Sequence, residues 1–449
     1  MATELVILGV CGFILLHASQ VQPKNTSSVI IANLLSLAVG TIIYWAIGFA
    51  FAFGDGTIKN SNFFLSYDRF FLIDASDDDY AQFGSELVYL MLVLVLCNSG
   101  FVSRMRYWVY PLLTLFISGV IYPFVIHWTK HPEGWLKSGI EVEIDGKDKI
   151  LSYQDDGGAA WIHVLSGSVS LIGTILLAPR KDRQGKKFRP VGGNLTPLML
   201  VGYFLAVISL LAKQQTGKRH LANSLLAAEG AALVSFALKR TGYFGDRSST
   251  KALINGSISG LVAISVLSND YLAYSAFVVG VIGGLAFTVW SALLQLCRID
   301  DPTDSAAVHL GAGFWAAIAS PLFRKTGGII YDVSKYNLQM FGWHLLAAVA
   351  IFVWSGLTVF LVLIFFVFAR SIKYSGREAA EIGLDQLEHK EPAYPDREQY
   401  TPDRTDQILD DLFLKDTGMY AYDNRASQNS GAFDNRESRR DGNEQFAKY

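Results

Sequence analysis

Two histidines lie in apolar segments whose sequences resemble each other. His163 and His309 each follow an Ala-Ala pair by two or three residues, and each has a glycine four positions later, Gly167 and Gly313. A single histidine in a hydrophobic segment is usually a core residue with satisfied hydrogen bonds. Two in matching segments, each long enough to help cross a bilayer, favour a paired role along a pathway, because ionisable groups in lipid are costly.

The composition indicates a polytopic membrane protein. The chain has 449 residues, of which 51% are hydrophobic and 17% charged, and its mean hydropathy is +0.29. Cys11, Cys97 and Cys297 show no disulfide or metal-ligand spacing, and we expect neither a metal nor a cofactor. A net charge of -2 gives no indication of a nucleic-acid partner. Glu4 stands where a cleavable signal peptide would be basic, so we expect the first span to remain.

Eleven segments are long and apolar enough to be predicted as membrane spans, since roughly 20 apolar residues cross a bilayer. They are 4–21, 28–53, 83–103, 107–128, 157–178, 195–212, 220–238, 252–268, 273–296, 305–323 and 341–369. The sixth and eighth are the weakest, and the last is long enough to tilt or protrude. The predicted fold is all-α, with an inverted repeat of five plus five helices and a long final helix.

The charged loops predict the orientation. Basic residues concentrate at 180–189 and 239–251, on the same side in an eleven-span chain, whereas the run DASDDDY at 74–80 lies on the other. Because cytoplasmic loops carry more Lys and Arg, we expect an extracellular N-terminus and a cytoplasmic C-terminus. The acidic run could be a calcium loop, but its spacing fits no ligand pattern, and a solvated surface is the preferred interpretation.

An inverted repeat would bring the two histidines together. Spans one to five and six to ten each contain an odd number of helices, so the second unit runs opposite to the first, and His163 and His309 lie on the last helix of each unit. Transporters place substrate sites near the midplane at such repeat interfaces. Asp155 and Asp304 precede the histidines by eight and five residues. They are either plain helix-start carboxylates or supports of the pathway.

The chain divides into three predicted parts. Residues 1–371 form the membrane domain, and residues 372–396 form a cytoplasmic segment that still has structure-forming character. Residues 397–449 are rich in Asn, Ser, Asp and Arg, so we expect them to be disordered.

Three motifs carry a resemblance to the Amt/Mep/Rh ammonium transporter family, of which the chain looks like a divergent eukaryotic member. DDGGAAWIHV, starting at Asp155, resembles the motif of the family's first twin histidine, and IDDPTDSAAVHLGAG, starting at residue 299, resembles that of the second. GLDQLEHKEPAY, at 383–394, resembles the cytoplasmic tail motif. The resemblance runs from residue 4 to about 395.

The resemblance implies a homotrimer in the plasma membrane, each subunit with its own narrow hydrophobic pore. His163 and His309 would be the hydrogen-bonded pair crossing that pore, and we expect their nitrogens within hydrogen-bond reach, near 3 Å. Such a pair could relay a proton while ammonia passes. Asp155 and Asp304 would support the pore, and the partners would be ammonium or ammonia and membrane lipid.

The aligned outer vestibule departs from the family pattern. Tyr89 falls at the first gate phenylalanine with Glu86 nearby in place of a glutamine, Lys130 falls at the recruiting tryptophan, and Lys213 falls at the second gate phenylalanine. A cage of aromatic rings attracts a cation, and two lysines would repel it. Leu387 stands where several family members carry a phosphorylatable threonine, so we expect no such switch.

Two functions remain open. The first is transport of ammonium or ammonia through a pore with a modified vestibule, which the two histidines favour. The second is a non-conducting ammonium sensor or interaction protein of the same fold, which Lys130 and Lys213 favour. An enzyme is not expected, because no nucleophile–base pair, metal cluster or phosphate loop has suitable spacing.

Overall fold

Eleven helices of 15 residues or more follow one another in the part of the chain that the computed structural model describes, residues 2–54, 61–180, 195–212, 217–244, 249–374 and 382–394. They are α1 (Ala2–Gln20), α2 (Pro23–Phe53), α3 (Asp77–Asn98), α4 (Val109–Ser138), α5 (Ala159–Leu177), α6 (Thr196–Ala212), α7 (His220–Thr241), α8 (Ser249–Ala263), α9 (Ala273–Leu296), α10 (Ala306–Phe323) and α11 (Lys335–Phe368). Each overlaps one of the eleven predicted spans, in order, so the predicted all-α membrane fold is confirmed.

Three of these helices differ from the others in the length of their apolar segment. Eight of the described helices are long and apolar enough to cross a membrane, whereas the apolar part of α1, Glu4–Gln20, and the whole of α6 are shorter, and α8 has only 15 residues. In α8 every side chain from Ile254 to Ala263 is buried, many of them Gly, Ser or Ala. A methyl group on Gly260 would collide with the backbone of Ala227 on α7. The weak hydropathy of α8 therefore reflects burial against protein.

The helix contacts follow the predicted repeat. The first helices of the two five-helix units, α1 and α6, pack on each other, and the last helices, α5 and α10, also meet. Long α11 packs along α5. The two helices that carry the histidines therefore meet at the junction of the two units.

A short β-hairpin between α4 and α5 was not anticipated. Strands β1 (Ile140–Ile144) and β2 (Lys147–Leu151) pair antiparallel around Asp145 and Gly146, both with positive φ. Asp-Gly is the turn that a two-residue hairpin with mirror-image geometry prefers, so the sequence contained this signal. The hairpin lies on the predicted extracellular side.

The segment after α11 returns to the start of α2. The backbone N–H groups of Ser27 and Ser28 donate to the Asp385 carboxylate at 2.9 and 2.7 Å, and the Leu384 N–H donates to Asn25 Oδ1 at 2.8 Å. The α-helical part of α2 begins at Thr26, after the 3₁₀ turn Pro23–Asn25. Its first N–H groups have no intrahelical partners, and a carboxylate there is favoured by the helix dipole. The tail motif thus caps α2. The predicted disordered tail, residues 397–449, lies outside the described residues.

Candidate functional site

The structure places His163 and His309 side by side. Their ring centroids are 5.1 Å apart and the ring planes differ by 10°. Both side chains are fully buried, with residue exposures of 0% and 2%. Two flat, stacked imidazoles inside a membrane domain form the centre of the candidate site.

Both histidines lie on a widened helical turn at the start of their helix. His163 belongs to the π-helical turn Ala159–Val164 and His309 to Ala306–Gly311. The His163 N–H accordingly donates to Gly158 O at 3.1 Å, five residues back. Single π turns inside helices occur frequently at functional sites.

The glycine that follows each histidine by four residues allows the two helices to approach. A Cβ on Gly167 would collide with the backbone of Leu310, next to the second histidine. A Cβ on Gly313 would lie 3.0 Å from Ala159 O. Each helix therefore contacts the histidine-bearing turn of the other through a residue without a side chain.

Asp155 caps the turn that carries His163. Its two carboxylate oxygens accept from the N–H groups of Ala159 and Ala160, both at 2.8 Å, and from the Tyr153 hydroxyl at 2.9 Å. Burial raises the pKa of Asp155, while these three donors oppose the rise. The carboxylate fixes where α5 begins and so helps to position His163.

Asp301, which sequence reasoning missed, makes the same cap on the other helix. Its oxygens accept from the N–H groups of Ser305 and Ala306 at 3.0 and 2.8 Å. It precedes His309 by eight residues, the same spacing as Asp155 to His163. That spacing was the signal that could have found it. Burial, with the nearby Asp304 carboxylate, raises the pKa of Asp301 to about 6.

Asp304 has a different environment from Asp155. Its carboxylate accepts from the Ser291 hydroxyl at 3.0 Å and pairs with Lys251 Nζ at 2.8 Å. Burial favours the neutral acid, but the charges of Lys251 and Lys239 outweigh it, and the pKa of Asp304 is lowered. Asp304 joins the start of α10 to α8 through an ion pair and to α9 through a hydrogen bond.

Lys130 is held by a carboxylate and two aromatic rings. Its Nζ lies 2.8 and 3.0 Å from the two oxygens of Glu86, 3.6 Å from the ring centroid of Trp161 and 4.7 Å from that of Tyr89. The two rings meet edge to face, with centroids 5.3 Å apart. We call Glu86, Tyr89 and Trp161 the cation cage. Lys213, the second predicted vestibule lysine, lies outside the described residues.

An aromatic side chain of α1 contacts the histidine pair. Phe13 of α1 meets the His309 ring edge to face at 5.7 Å, and His17, one turn further along α1, lies 6.0 Å from Phe13. Both α1 side chains are buried. Sequence reasoning assigned neither residue to the site, because α1 carries no motif that marks them.

The comparisons with known proteins identify the family. The family model described as the Ammonium Transporter Family matches residues 1–394. The chain belongs to the ammonium transporter family. This family member is 31% identical over 418 residues to a Caenorhabditis elegans protein named as an ammonium transporter, covering 86% of this chain and 76% of that protein. It is 30% identical to Ammonium transporter 3 of Dictyostelium discoideum, and the match covers 88% of this chain and 92% of that protein.

A solved structure supports the fold. The structure named Sensor Amt Protein superposes with a TM-score of 0.75 at 22% identity, covering 87% of this chain and 96% of that one. The family match makes the chain a multi-pass membrane protein of a transporter family and not an enzyme.

Proposed function

We propose that the chain carries ammonium or ammonia through a pore within one subunit, with His163 and His309 as the proton relay. The stacked, buried pair is the observation that carries the proposal. Two carboxylate caps and two glycine contacts fix the turns that hold the pair. Such a built arrangement is difficult to explain as packing alone, because buried polar side chains are costly in lipid.

The physical reason for a relay is the cost of moving a charge through an apolar pore. A bare cation in a medium of low dielectric is unfavourable by many kcal/mol, whereas neutral ammonia and a separately transferred proton avoid that cost. Each neutral imidazole has one nitrogen that donates and one that accepts, so two adjacent rings can pass a proton. The ring centroids lie 5.1 Å apart, which supports a relay between neighbouring rings, and the hydrogen bond between their nitrogens stays a prediction.

Uptake into liposomes tests this function. Liposomes that contain the purified protein should take up ammonium down its concentration gradient. The double variant His163→Gln, His309→Gln should show no such uptake. His344→Gln is the matched control, because His344 is equally buried but its ring contacts Tyr153 and not the pair. Undiminished uptake by the double variant would rule out the relay.

A non-conducting ammonium sensor or interaction protein is the second candidate, and the position of Lys130 favours it. A fixed lysine ammonium in the cation cage occupies a place where an incoming cation would be attracted. Wild-type liposomes that show no uptake, although the protein is folded, would support this candidate against the first.

The assembly and orientation are also proposals. The family resemblance supports a homotrimer in the plasma membrane, and the distribution of basic loops supports an extracellular N-terminus. Light scattering of the purified protein gives the subunit number. Epitope tags at each terminus, probed in intact and permeabilised cells, give the orientation.

A further inference from the structure

We propose that Arg324, Tyr271 and Ser320 form a binding site for one small monovalent anion, chloride or an ion of similar size, at the end of α10. We call these three residues the donor cluster. Arg324 directly follows α10, and the predicted orientation places it on the extracellular side. The proposal is independent of transport, because it concerns the charge balance of the folded chain.

Arg324 is a buried cation without an ion partner. It is 6% exposed, and the ion pairs among the described residues all involve other cations. A guanidinium keeps its charge in proteins, and a buried charge without a partner is strongly unfavourable. The described side chains therefore leave one positive charge without a contacting negative group.

A single hydrogen bond holds the guanidinium within the described part of the chain. Nη1 donates to Gln154 Oε1 at 2.9 Å, and the buried Nε has no hydrogen-bond partner there. Arginine has five N–H donors and no acceptor, so the protein uses only part of its donor capacity. Gln154 is exposed, which places the guanidinium close to the surface, and an ion needs no path through the core.

Two buried hydroxyl groups accompany the guanidinium. Tyr271 and Ser320 are both 0% exposed, and neither hydroxyl has a hydrogen-bond partner among the residues that the structure describes. Ser320 precedes Arg324 by four residues, and the Arg324 N–H donates to its carbonyl at 3.1 Å. The backbone of Tyr271 pairs antiparallel with that of Arg324. Both hydroxyls thus belong to segments that contact Arg324 directly.

The Tyr271 hydroxyl is a donor in the folded protein. Burial raises the pKa of Tyr271, and the nearby Ser320 hydroxyl and Arg324 charge only oppose that rise. The hydroxyl therefore keeps its proton at neutral pH. The donor cluster then contains an N–H and two O–H groups, and its net charge is positive.

This chemistry selects an anion over water. A buried polar atom without a protein partner indicates a bound water or ion. Water would accept from the donors but would leave the charge of Arg324 unbalanced. One monovalent anion supplies both the acceptor and the missing charge. A divalent anion such as sulfate would add a second charge that no cation of the cluster balances.

The carboxylates of the region bind other donors. Asp155 accepts from the start of α5 and from Tyr153. Asp270 accepts from the hydroxyl and the N–H of Thr326, at 2.8 and 3.3 Å. Neither carboxylate forms an ion pair with Arg324. Their charges weaken the attraction for an anion, so we expect the site to fill at the chloride concentrations of extracellular fluid and not at trace levels.

The Tm of the purified full chain in sodium chloride and in sodium gluconate, at about 150 mM each, tests the proposal. Gluconate is too large for the site. Because an anion that binds only the folded protein stabilises it, chloride should raise the Tm of wild type by about 1–3 °C. Arg324→Gln can still donate to Gln154 but has no charge, and its Tm should be the same in both salts. Equal salt effects in the two proteins would overturn the proposal.

Two comparisons separate a specific site from a general effect of charge. In gluconate, Arg324→Gln should be at least as stable as wild type, because the variant lacks the unpaired buried charge. A lower stability in gluconate would assign Arg324 a structural role and refute the site. Arg370→Gln is the matched control, since Arg370 is exposed, and it should keep the full chloride effect. Loss of the effect in this control would also refute the site.

The hydroxyl groups and the position of the ion can be tested separately. The double variant Tyr271→Phe, Ser320→Ala keeps the charge and removes both O–H donors, so it also serves if Arg324→Gln does not fold. The chloride concentration that gives half of the Tm gain should rise at least about fivefold. Crystals grown in sodium bromide should show an anomalous peak in contact with Arg324 Nε. An unchanged half-point, or bromide peaks only elsewhere, would contradict the proposal.

Discussion

Asp155→Asn should weaken both the fold and transport. Hydrogen bonds to charged groups contribute about 1.5–3 kcal/mol each, and Asp155 accepts three of them, from Ala159, Ala160 and Tyr153. Asparagine keeps one acceptor oxygen and turns an NH₂ group toward the remaining donors. Asp155 is half-buried, and its partial loss of water already disfavours the charged form. We therefore expect the free energy of unfolding to fall by an amount near the low end of this range, about 2 kcal/mol.

This loss has two measurable consequences. A change of about 2 kcal/mol lowers the folded-to-unfolded ratio about thirtyfold, so the Tm of the purified protein should fall by a few degrees. The start of α5 should also become less ordered, which displaces His163 and lowers ammonium uptake into liposomes.

The neighbouring carboxylate provides the control for Asp155. Asp156 is exposed, and Asp156→Asn should change stability by less than about 0.5 kcal/mol and leave uptake unchanged. If the two variants have the same Tm and the same uptake, the cap does not position the histidine turn and the reasoning is refuted.

Three other perturbations follow from the structure. Gly167→Leu should force α5 away from α10, cost at least about 1–3 kcal/mol and abolish uptake, whereas Gly342→Leu, where a Cβ meets open space, should do neither. The pKa of Asp301 is raised from 3.8 to about 6, so the folded state binds this proton more tightly than the unfolded state does. The protein therefore loses stability as pH rises through that interval. The difference in Tm between wild type and Asp301→Asn should fall between pH of about 4 and 6 and then level off. Asp385→Ala should speed hydrogen exchange at the Ser28 amide, and unchanged exchange would contradict the cap on α2.

The helices and the histidine pair could be predicted because hydropathy and spacing encode them directly. The span prediction uses only the length of apolar runs, which the bilayer thickness fixes. The meeting of His163 and His309 follows from the parity of the spans, because an odd number of helices inverts the second unit. Neither inference needs to know how side chains pack.

The cap on α10 was missed because sequence reasoning ranked carboxylates by closeness to the histidine. Asp304 is nearer to His309 along the chain than Asp301 is. Capping depends on backbone geometry, and in both helices the N–H groups four and five residues after the carboxylate are the donors. The inverted repeat therefore reproduces the order of aspartate, histidine and glycine, spaced by eight and four residues.

Lys130 illustrates why a charge cannot be evaluated from its position in a sequence alone. As an isolated cation in a vestibule, it would repel ammonium by a few kcal/mol at an effective dielectric constant of about 20. In the structure both oxygens of Glu86 are within 3.0 Å of its Nζ, so the pair is nearly neutral seen from a distance. On the proposed transport route, the obstacle to a cation would then be occupancy of the cage and not long-range repulsion. Repulsion is screened by salt, whereas occupancy is not, so we expect added salt to leave ammonium uptake by the wild type unchanged, and only the loss of the Lys130 ammonium group to raise it.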